Sequence, residues 1–282
     1  MSESSKDPRA ARRPTRSGPP GGPRARSSAP SARPRSSTSG TGRRGEAGPP
    51  ERVPARATEP EIPDDVTWYD LDRATRGELR SLPKELAERV GGHLAMAGIL
   101  IDAEPERARE HAAVARRLAS RVSAVREAVA LSAYACGDYE AALAEFRAYR
   151  RMSGDQTHLP LMADCERGLG RPERALSLAA TPEAGRLPEP VARELRIVTA
   201  GARSDLGQHD AAVGVLEQDP GLRAGAVDVS LVRLRYAYSD ALRAAGRADE
   251  ADHWLGIVAR QDVAAVTDAA DRVSEAEERS GD

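Results

Sequence analysis

Apolar residues recur every three to four positions along residues 63–282, in a background rich in Ala, Leu, Glu and Arg. This spacing is typical of amphipathic helices, and little of the period-two alternation of strands interrupts it. Ser81-Leu82-Pro83 indicates a break and a new helix, since proline is tolerated in the first helical turn. Upstream, Thr67 or Asp70 is predicted to cap a short helix that ends at Leu79. The pattern therefore predicts an all-α fold.

Five short turns separate the predicted helices, and an alanine follows each turn by about five residues. The turns begin at positions 103, 137, 170, 207 and 246, which are 34, 33, 37 and 39 residues apart. A glycine permits the left-handed helix end, and a small alanine lets two helices approach closely. A period near 34 indicates stacked helix–turn–helix units. The turns and their alanines are Ala103-Glu104-Pro105 with Ala108, Gly137-Asp138-Tyr139 with Ala142, Gly170-Arg171-Pro172 with Ala175, Gly207-Gln208-His209 with Ala212, and Gly246-Arg247-Ala248 with Ala251.

These motifs resemble tetratricopeptide repeats (TPRs), and the likeness covers about residues 90–260. In the clearest copy, residues 130–146, alanines lie in the first helix, the Gly-Asp-Tyr turn follows, and Ala142 and Phe146 lie in the second helix. The looser copies are Met162 to Leu178 and Ser239 to Leu255, and degenerate copies cover 90–115 and 193–216. The resemblance implies an α-solenoid of about five TPR-like hairpins with a C-terminal capping helix.

The predicted domain spans residues 63–282. Its repeats are expected at 89–120, 123–154, 156–182, 190–219 and 230–261, with the capping helix at 262–278. Trp68-Tyr69-Asp70-Leu71-Asp72 and Met162-Ala163-Asp164-Cys165-Glu166-Arg167 also resemble a group of uncharacterised repeat proteins from high-GC bacteria. That second likeness implies no activity.

Residues 1–62 are predicted to be a disordered basic tail. The first 60 residues hold 11 of the 20 prolines, ten serines and seven glycines, and 12 Arg plus Lys6 against five acids give 13 − 5 = +8. The rest of the chain carries 29 basic and 39 acidic side chains, or −10. Such a segment has too few apolar groups to offset the entropy lost on ordering. Two interpretations stay open: an arm that binds RNA, DNA or an acidic partner, or a solvated spacer.

No motif for catalysis, metal or cofactor stands out, so the sequence predicts a non-enzymatic protein without cofactors; an unrecognised enzyme site is the weaker alternative. The histidines are scattered along the chain, and Cys165 is expected to face the core rather than act as a reactive thiol, since neighbouring carboxylates raise a thiol pKa. Two cysteines without a framework fit a reducing compartment. With no apolar run near 18 residues and no secretory leader pattern, we expect a cytoplasmic protein without membrane contact.

The first helix of each hairpin would line a concave groove, and the function predicted is protein–protein interaction through that groove. Its alternation of acids and Arg suggests a mixed-charge peptide as partner, although the same pattern also suits a solvated face laced with ion pairs. The alternative function is a nucleic-acid or ribosome-associated factor that binds through residues 1–60. The predicted groove residues are Glu127, Leu131, Tyr134, Asp164, Arg167, Glu194, Ile197, Arg233, Tyr236, Asp240 and Arg243.

Overall fold

The computed structural model of the chain describes residues 59–225 and 228–281. Within these ranges the protein is all-α, with twelve α-helices and no strand. The helices are α1 (Arg73–Leu79), α2 (Lys84–Leu100), α3 (Pro105–Ala119), α4 (Ser123–Ala135), α5 (Tyr139–Ser153), α6 (Leu159–Gly168), α7 (Pro172–Ala179), α8 (Glu189–Asp205), α9 (His209–Glu217), α10 (Val229–Ala244), α11 (Ala248–Gln261) and α12 (Ala269–Gly281). The predictions of a disordered tail over residues 1–62 and of nucleic-acid binding through residues 1–60 lie outside the described residues as far as residue 58. Residues 59–62 are described and pack on the domain, where Glu59 pairs with Arg89 and Ile62 contacts the cluster around Met96.

The helices pack pairwise in the order of the sequence. From α2 to α11, five successive pairs form (α2 with α3, through to α10 with α11), and the second helix of one pair lies against the first helix of the next. In the C-terminal half, α8 also contacts both α6 and α10. First helices of successive pairs are therefore neighbours there, and their side chains share one surface.

Four of the five predicted turns contain a glycine with a left-handed backbone: Gly137, Gly170, Gly207 and Gly246 have φ between 70° and 78°. In each turn the residue after the glycine donates its backbone N–H to a carbonyl five residues upstream. This is the Schellman hydrogen bond, which satisfies carbonyls at a helix end. The donors and acceptors are Asp138 with Ala133, Arg171 with Glu166, Gln208 with Arg203, and Arg247 with Leu242, at 2.8–2.9 Å.

The alanine that follows each turn is buried at the contact within its helix pair. Ala108, Ala142, Ala175, Ala212 and Ala251 are each no more than 1% exposed. A methyl group at this position lets the second helix lie close to the first, and any larger side chain would meet atoms that are already packed. The sequence period thus corresponds to a repeated packing position.

The N-terminal segment differs in detail from the prediction. Thr67 caps a 3₁₀ helix, Trp68–Asp70, in which the Asp70 carboxylate accepts the Thr67 backbone N–H at 2.7 Å. Asp70 is therefore the reciprocal partner of a capping box rather than the cap of an α-helix. The cap of α1 is Asp72, whose carboxylate accepts the N–H groups of the first helical turn.

Gly91 in α2 has no side chain, which lets the N-terminal segment around Trp68 pack directly against the helix. A Cβ at this position would lie 2.4 Å from the Cβ of Trp68, so any side chain would displace the segment. At the other end of the domain, Leu255 and Val258 of α11 pack against Ala269 of α12. None of the helices in residues 59–225 and 228–281 has the length and apolarity needed to cross a bilayer.

Candidate functional site

Two adjoining clefts lie along the first helices α4, α6, α8 and α10. The larger has a volume of about 1150 Å³ and is lined by α6, α8, α10 and the start of α12; the smaller measures about 460 Å³ and reaches α4. Arg167, Ile197 and Arg233 line both clefts. We call their combined surface the first-helix groove. Eight of the eleven predicted groove residues line it: Tyr134, Asp164, Arg167, Glu194, Ile197, Arg233, Tyr236 and Asp240.

Arg167 connects α6 to α8 in the middle of the groove. Its guanidinium donates to Asp164 one turn earlier (Nη1 to Oδ1, 2.8 Å) and to Asp205 at the end of α8 (Nε to Oδ2, 2.8 Å). The guanidinium lies over Gly201, where a Cβ would be only 2.6 Å from Cζ of Arg167. Burial alone would lower the pKa of Arg167, but the carboxylates of Asp205 and Asp164 raise it above the usual value. Arg167 is thus a fixed cation in the groove.

Tyr134 of α4 extends the same network toward the N-terminal side. Its hydroxyl donates to Oδ2 of Asp164 at 2.6 Å. Burial, followed by the hydrogen bond and negative charge of Asp164, raises the pKa of the Tyr134 hydroxyl. The tyrosine therefore stays neutral and acts as a donor, which leaves Asp164 shared between one hydroxyl and one guanidinium.

Glu194 and Arg233 form the ion pair that links α8 to α10, with 3.0 Å between Oε2 and Nη2. Burial raises the pKa of Glu194, and the charges of Arg233 and Arg193 oppose that rise. About half of the Arg233 side chain is exposed, so its guanidinium is accessible from the groove.

The C-terminal end of the groove is closed by α12. Arg272 donates through Nη1 to the hydroxyl of Tyr236 at 2.7 Å and to Oδ1 of Asp240 at 2.9 Å, and its guanidinium lies 5.3 Å from the Tyr236 ring centre. The Tyr236 hydroxyl in turn donates to Asp268, just before α12. With Asp271, these carboxylates make this end of the groove acidic.

Three predicted groove residues lie elsewhere. Glu127 and Leu131 line a separate cleft with residues of α1 and α2, and Glu127 is hydrogen-bonded to Nε2 of His158 at 2.7 Å. Arg243 pairs with Asp252 of α11, the second helix of its own pair. Its position near the end of α10 directs the side chain toward α11 rather than into the groove.

The sequence did not single out Gly201, Asp205, Asp268 and Arg272, which all contribute to the groove. Asp205 and Gly201 could have been found from their position on α8, one turn apart and level with Arg167 on the preceding first helix. Arg272 had no such signal, because α12 lies outside the repeat period. Its place depends on how α12 folds back after residues 262–268.

Outside the groove, two expectations about reactive side chains have clear outcomes. Cys165 is buried against Phe146 and Met162, and burial, followed by the charge of Asp164, raises the pKa of its thiol to about 12. The histidines are not all separate, because His93 and His111 contact each other in the core. In the part of the chain that is described, no three His, Cys, Asp or Glu side chains are grouped to hold a metal ion.

No protein-family model matches the chain, and no curated protein matches it either.

Proposed function

We propose that the protein is a non-enzymatic scaffold of tetratricopeptide-like repeats that binds a segment of a partner protein in the first-helix groove. In this proposal the five helix pairs are repeat hairpins of an α-solenoid, and α12 is the C-terminal cap. The four equivalent glycine turns and the buried alanine after each turn support the repeat assignment. A stack of such hairpins presents its first helices on one face, where partner segments bind.

One observation carries the proposal: α6, α8 and α10 place their side chains on one continuous groove, and polar contacts between neighbouring helices hold it open. The contacts are Arg167 to Asp205 and Arg233 to Glu194. Such contacts fix side chains before a partner arrives, which reduces the entropy lost on binding.

The side chains that line the groove suit a partner that is an extended segment with both acidic and basic side chains. Arg167 and Arg233 offer guanidinium donors in the centre, while Asp268 and Asp271 offer acceptors at the α12 end. Ile197 lies between these charges and supplies an apolar contact that is common to both clefts. Arginine and tyrosine are also the side chains that most often dominate binding energy at interfaces.

The test compares two charge reversals on one helix. Arg233→Glu changes the groove, whereas Arg243→Glu changes an exposed arginine of α10 that lies outside it. An array of peptides with varied positions of acidic and basic residues is probed with the full-length wild type and both variants, after thermal melts show that all three are folded. We expect a set of mixed-charge peptides that the wild type and Arg243→Glu retain and that Arg233→Glu loses.

Equal retention by all three proteins would place binding outside the groove. A photo-crosslinking residue at position 197 provides an independent readout, because a bound peptide must pass this side chain to occupy both clefts. Crosslinks to the retained peptides from position 197 and none from exposed Ile99 of α2 would support the proposal. Crosslinks of equal yield from both positions would overturn it.

A further inference from the structure

A different cleft, about 590 Å³ in volume, lies between α3, α4 and α5 and is lined by four arginines. Arg109, Arg116 and Arg117 lie on α3, and Arg126 lies on α4. Arg109 and Arg116 are seven positions, or about two turns, apart and project from one face of the helix, and Arg117 follows on the adjoining side. The first-helix groove shares none of these residues.

Glu145 of α5 shows how an anion is held in this cleft. Its carboxylate is buried, with Oε1 at 3.1 Å from Nη1 of Arg116 and Oε2 at 2.8 Å from Nη1 of Arg126. Nε of Arg126 donates to the Ser120 carbonyl at 2.8 Å, which orients that guanidinium. Two guanidinium groups from different helices therefore converge on one pair of oxygens.

The carboxylates that pair with the other two arginines lie outside the cleft. Arg109 pairs with Asp138 at 2.6 Å and Arg117 pairs with Glu59 at 3.2 Å, and neither acid is among the lining residues. Among the described residues that line the cleft, four cations thus stand against one carboxylate, that of Glu145. Arg109, Arg116 and Arg117 keep between 42% and 55% of their side chains exposed. Exposed ion pairs are weak, so an anion of higher charge can take over their N–H donors.

We propose that this cleft binds a small molecule with at least two phosphate groups. Each guanidinium has five N–H donors in a plane that suits phosphate oxygens, and the described partners use few of them. The volume is in the range of small-molecule sites. The described residues that line it include no aromatic side chain, which disfavours a single-stranded nucleic acid with stacked bases.

The lining of the cleft also includes apolar residues: Val129 and Ala133 are buried, whereas Ala113 is at the surface. Ala113 is exposed on α3, between Arg109 and Arg116 in the same row. A longer side chain at this position projects among the arginines without disturbing the core. Ala113 is therefore a site where charge can be added to the cleft with little effect on folding.

The experiment titrates full-length protein with tripolyphosphate, pyrophosphate, ATP and orthophosphate by calorimetry at low ionic strength. Ala113→Glu places a carboxylate among the arginines, and Ala113→Gln is the matched neutral control. Arg116→Gln removes one donor group while Arg126 still pairs with Glu145. Arg151→Gln, at an exposed position near the end of α5, controls for the loss of any arginine.

We expect tripolyphosphate to bind more tightly than orthophosphate. Ala113→Glu and Arg116→Gln should weaken that binding at least tenfold, whereas Ala113→Gln and Arg151→Gln stay within twofold of the wild type. If ATP binds as tightly as tripolyphosphate, the phosphates alone are recognised; tighter binding of ATP would identify a nucleotide as the ligand.

Either of two results would overturn the proposal. One is binding that Ala113→Glu and Arg116→Gln leave unchanged, which would assign it to other basic residues such as those in 1–60. The other is binding of a single-stranded RNA oligomer without binding of any of the small phosphates. Thermal melts of every variant show whether it is folded, so that a loss of binding can be told apart from unfolding.

Discussion

The Nδ1 atoms of His93 and His111 lie 3.0 Å apart in the buried contact between α2 and α3, so one imidazole donates and the other accepts. Nε2 of His93 lies 3.8 Å from the carboxylate of Glu59, whereas the buried Nε2 of His111 has no hydrogen-bond partner among the described residues. An N–H is favoured over a lone pair toward a carboxylate. We infer that His93 is protonated on Nε2 and accepts a hydrogen bond from Nδ1–H of His111.

This pair predicts a loss of stability in mild acid. Burial, followed by the charge of His111, lowers the pKa of His93 from 6.5 to about 4, and burial also lowers the pKa of His111. In the unfolded chain both histidines bind protons at higher pH than in the folded protein, so the free energy of unfolding falls as pH drops from 6.5 toward 4. Urea unfolding at half-unit steps of pH measures this slope.

Exposed His253 provides the comparison for that experiment. His253→Gln, which removes an exposed histidine and leaves the buried pair intact, is the control for the slope between pH 6.5 and 5. His93→Gln should flatten the slope in the same interval, above the range in which most carboxylates titrate. A slope that His93→Gln does not alter would show that other groups take up the protons.

The buried alanine of the second helix pair predicts a steep dependence on side-chain size. Ala142 is fully buried, so Ala142→Arg overpacks the contact between α4 and α5 and should cost about 1–3 kcal/mol or more. Ala144→Arg is the matched control, since Ala144 is exposed on the same helix. Thermal melts should show a large drop for the first variant and little change for the second; equal melting temperatures would contradict the packing position.

Two glycine-to-alanine changes should have opposite signs. Gly207 has φ of 71° with nothing within 4 Å of a would-be Cβ, so Gly207→Ala strains only the backbone and should cost about 1–2 kcal/mol. Gly214 lies in helix α9, also with open space around a Cβ, and Gly214→Ala should stabilise by about 0.5–1 kcal/mol. Chemical denaturation of both variants measures the difference, and a shift of the same sign in both would contradict the turn assignment.

The contacts of Arg272 predict a local effect on α12. Arg272→Ala removes the hydrogen bonds to Tyr236 and Asp240 and should cost no more than about 1 kcal/mol overall, since the pairs are partly exposed. Amide exchange should become faster in α12 and stay unchanged in α2 to α9. Arg243→Ala, which breaks a similarly exposed pair with Asp252, should not affect α12.

The turns could be read from the sequence because their signals are local. A glycine such as Gly137 or Gly246 ends a helix through its own positive φ. The alanine five residues later is small enough to pack against the preceding helix whatever side chains that helix carries. Most of the groove residues could be predicted from the turn positions, because these fix which residues, such as Arg233, lie on a first helix. The contacts between side chains of different helices could not be predicted in this way.

Those contacts depend on rotations and chain paths that no period fixes. Arg272 reaches Tyr236 only because residues 262–268 lead α12 back toward α10. His93 and His111 meet because α2 and α3 rotate both imidazoles into one contact, although each histidine on its own resembles an isolated core or surface residue. Arg243 was predicted in the groove but lies outside it. It follows the groove residue Asp240 by one turn of α10, and there its side chain pairs with Asp252 of α11.

The central charges of the first-helix groove are already engaged within the protein: Asp164 and Asp205 with Arg167, and Glu194 with Arg233. An incoming charged segment would therefore exchange ion pairs rather than add them. Exchange leaves the number of neutralised charges nearly constant, so affinity should vary little with ionic strength. Discrimination between segments would then depend on whether their charges match the spacing of these pairs. The groove would therefore distinguish segments by the order of acidic and basic residues along them rather than by their net charge.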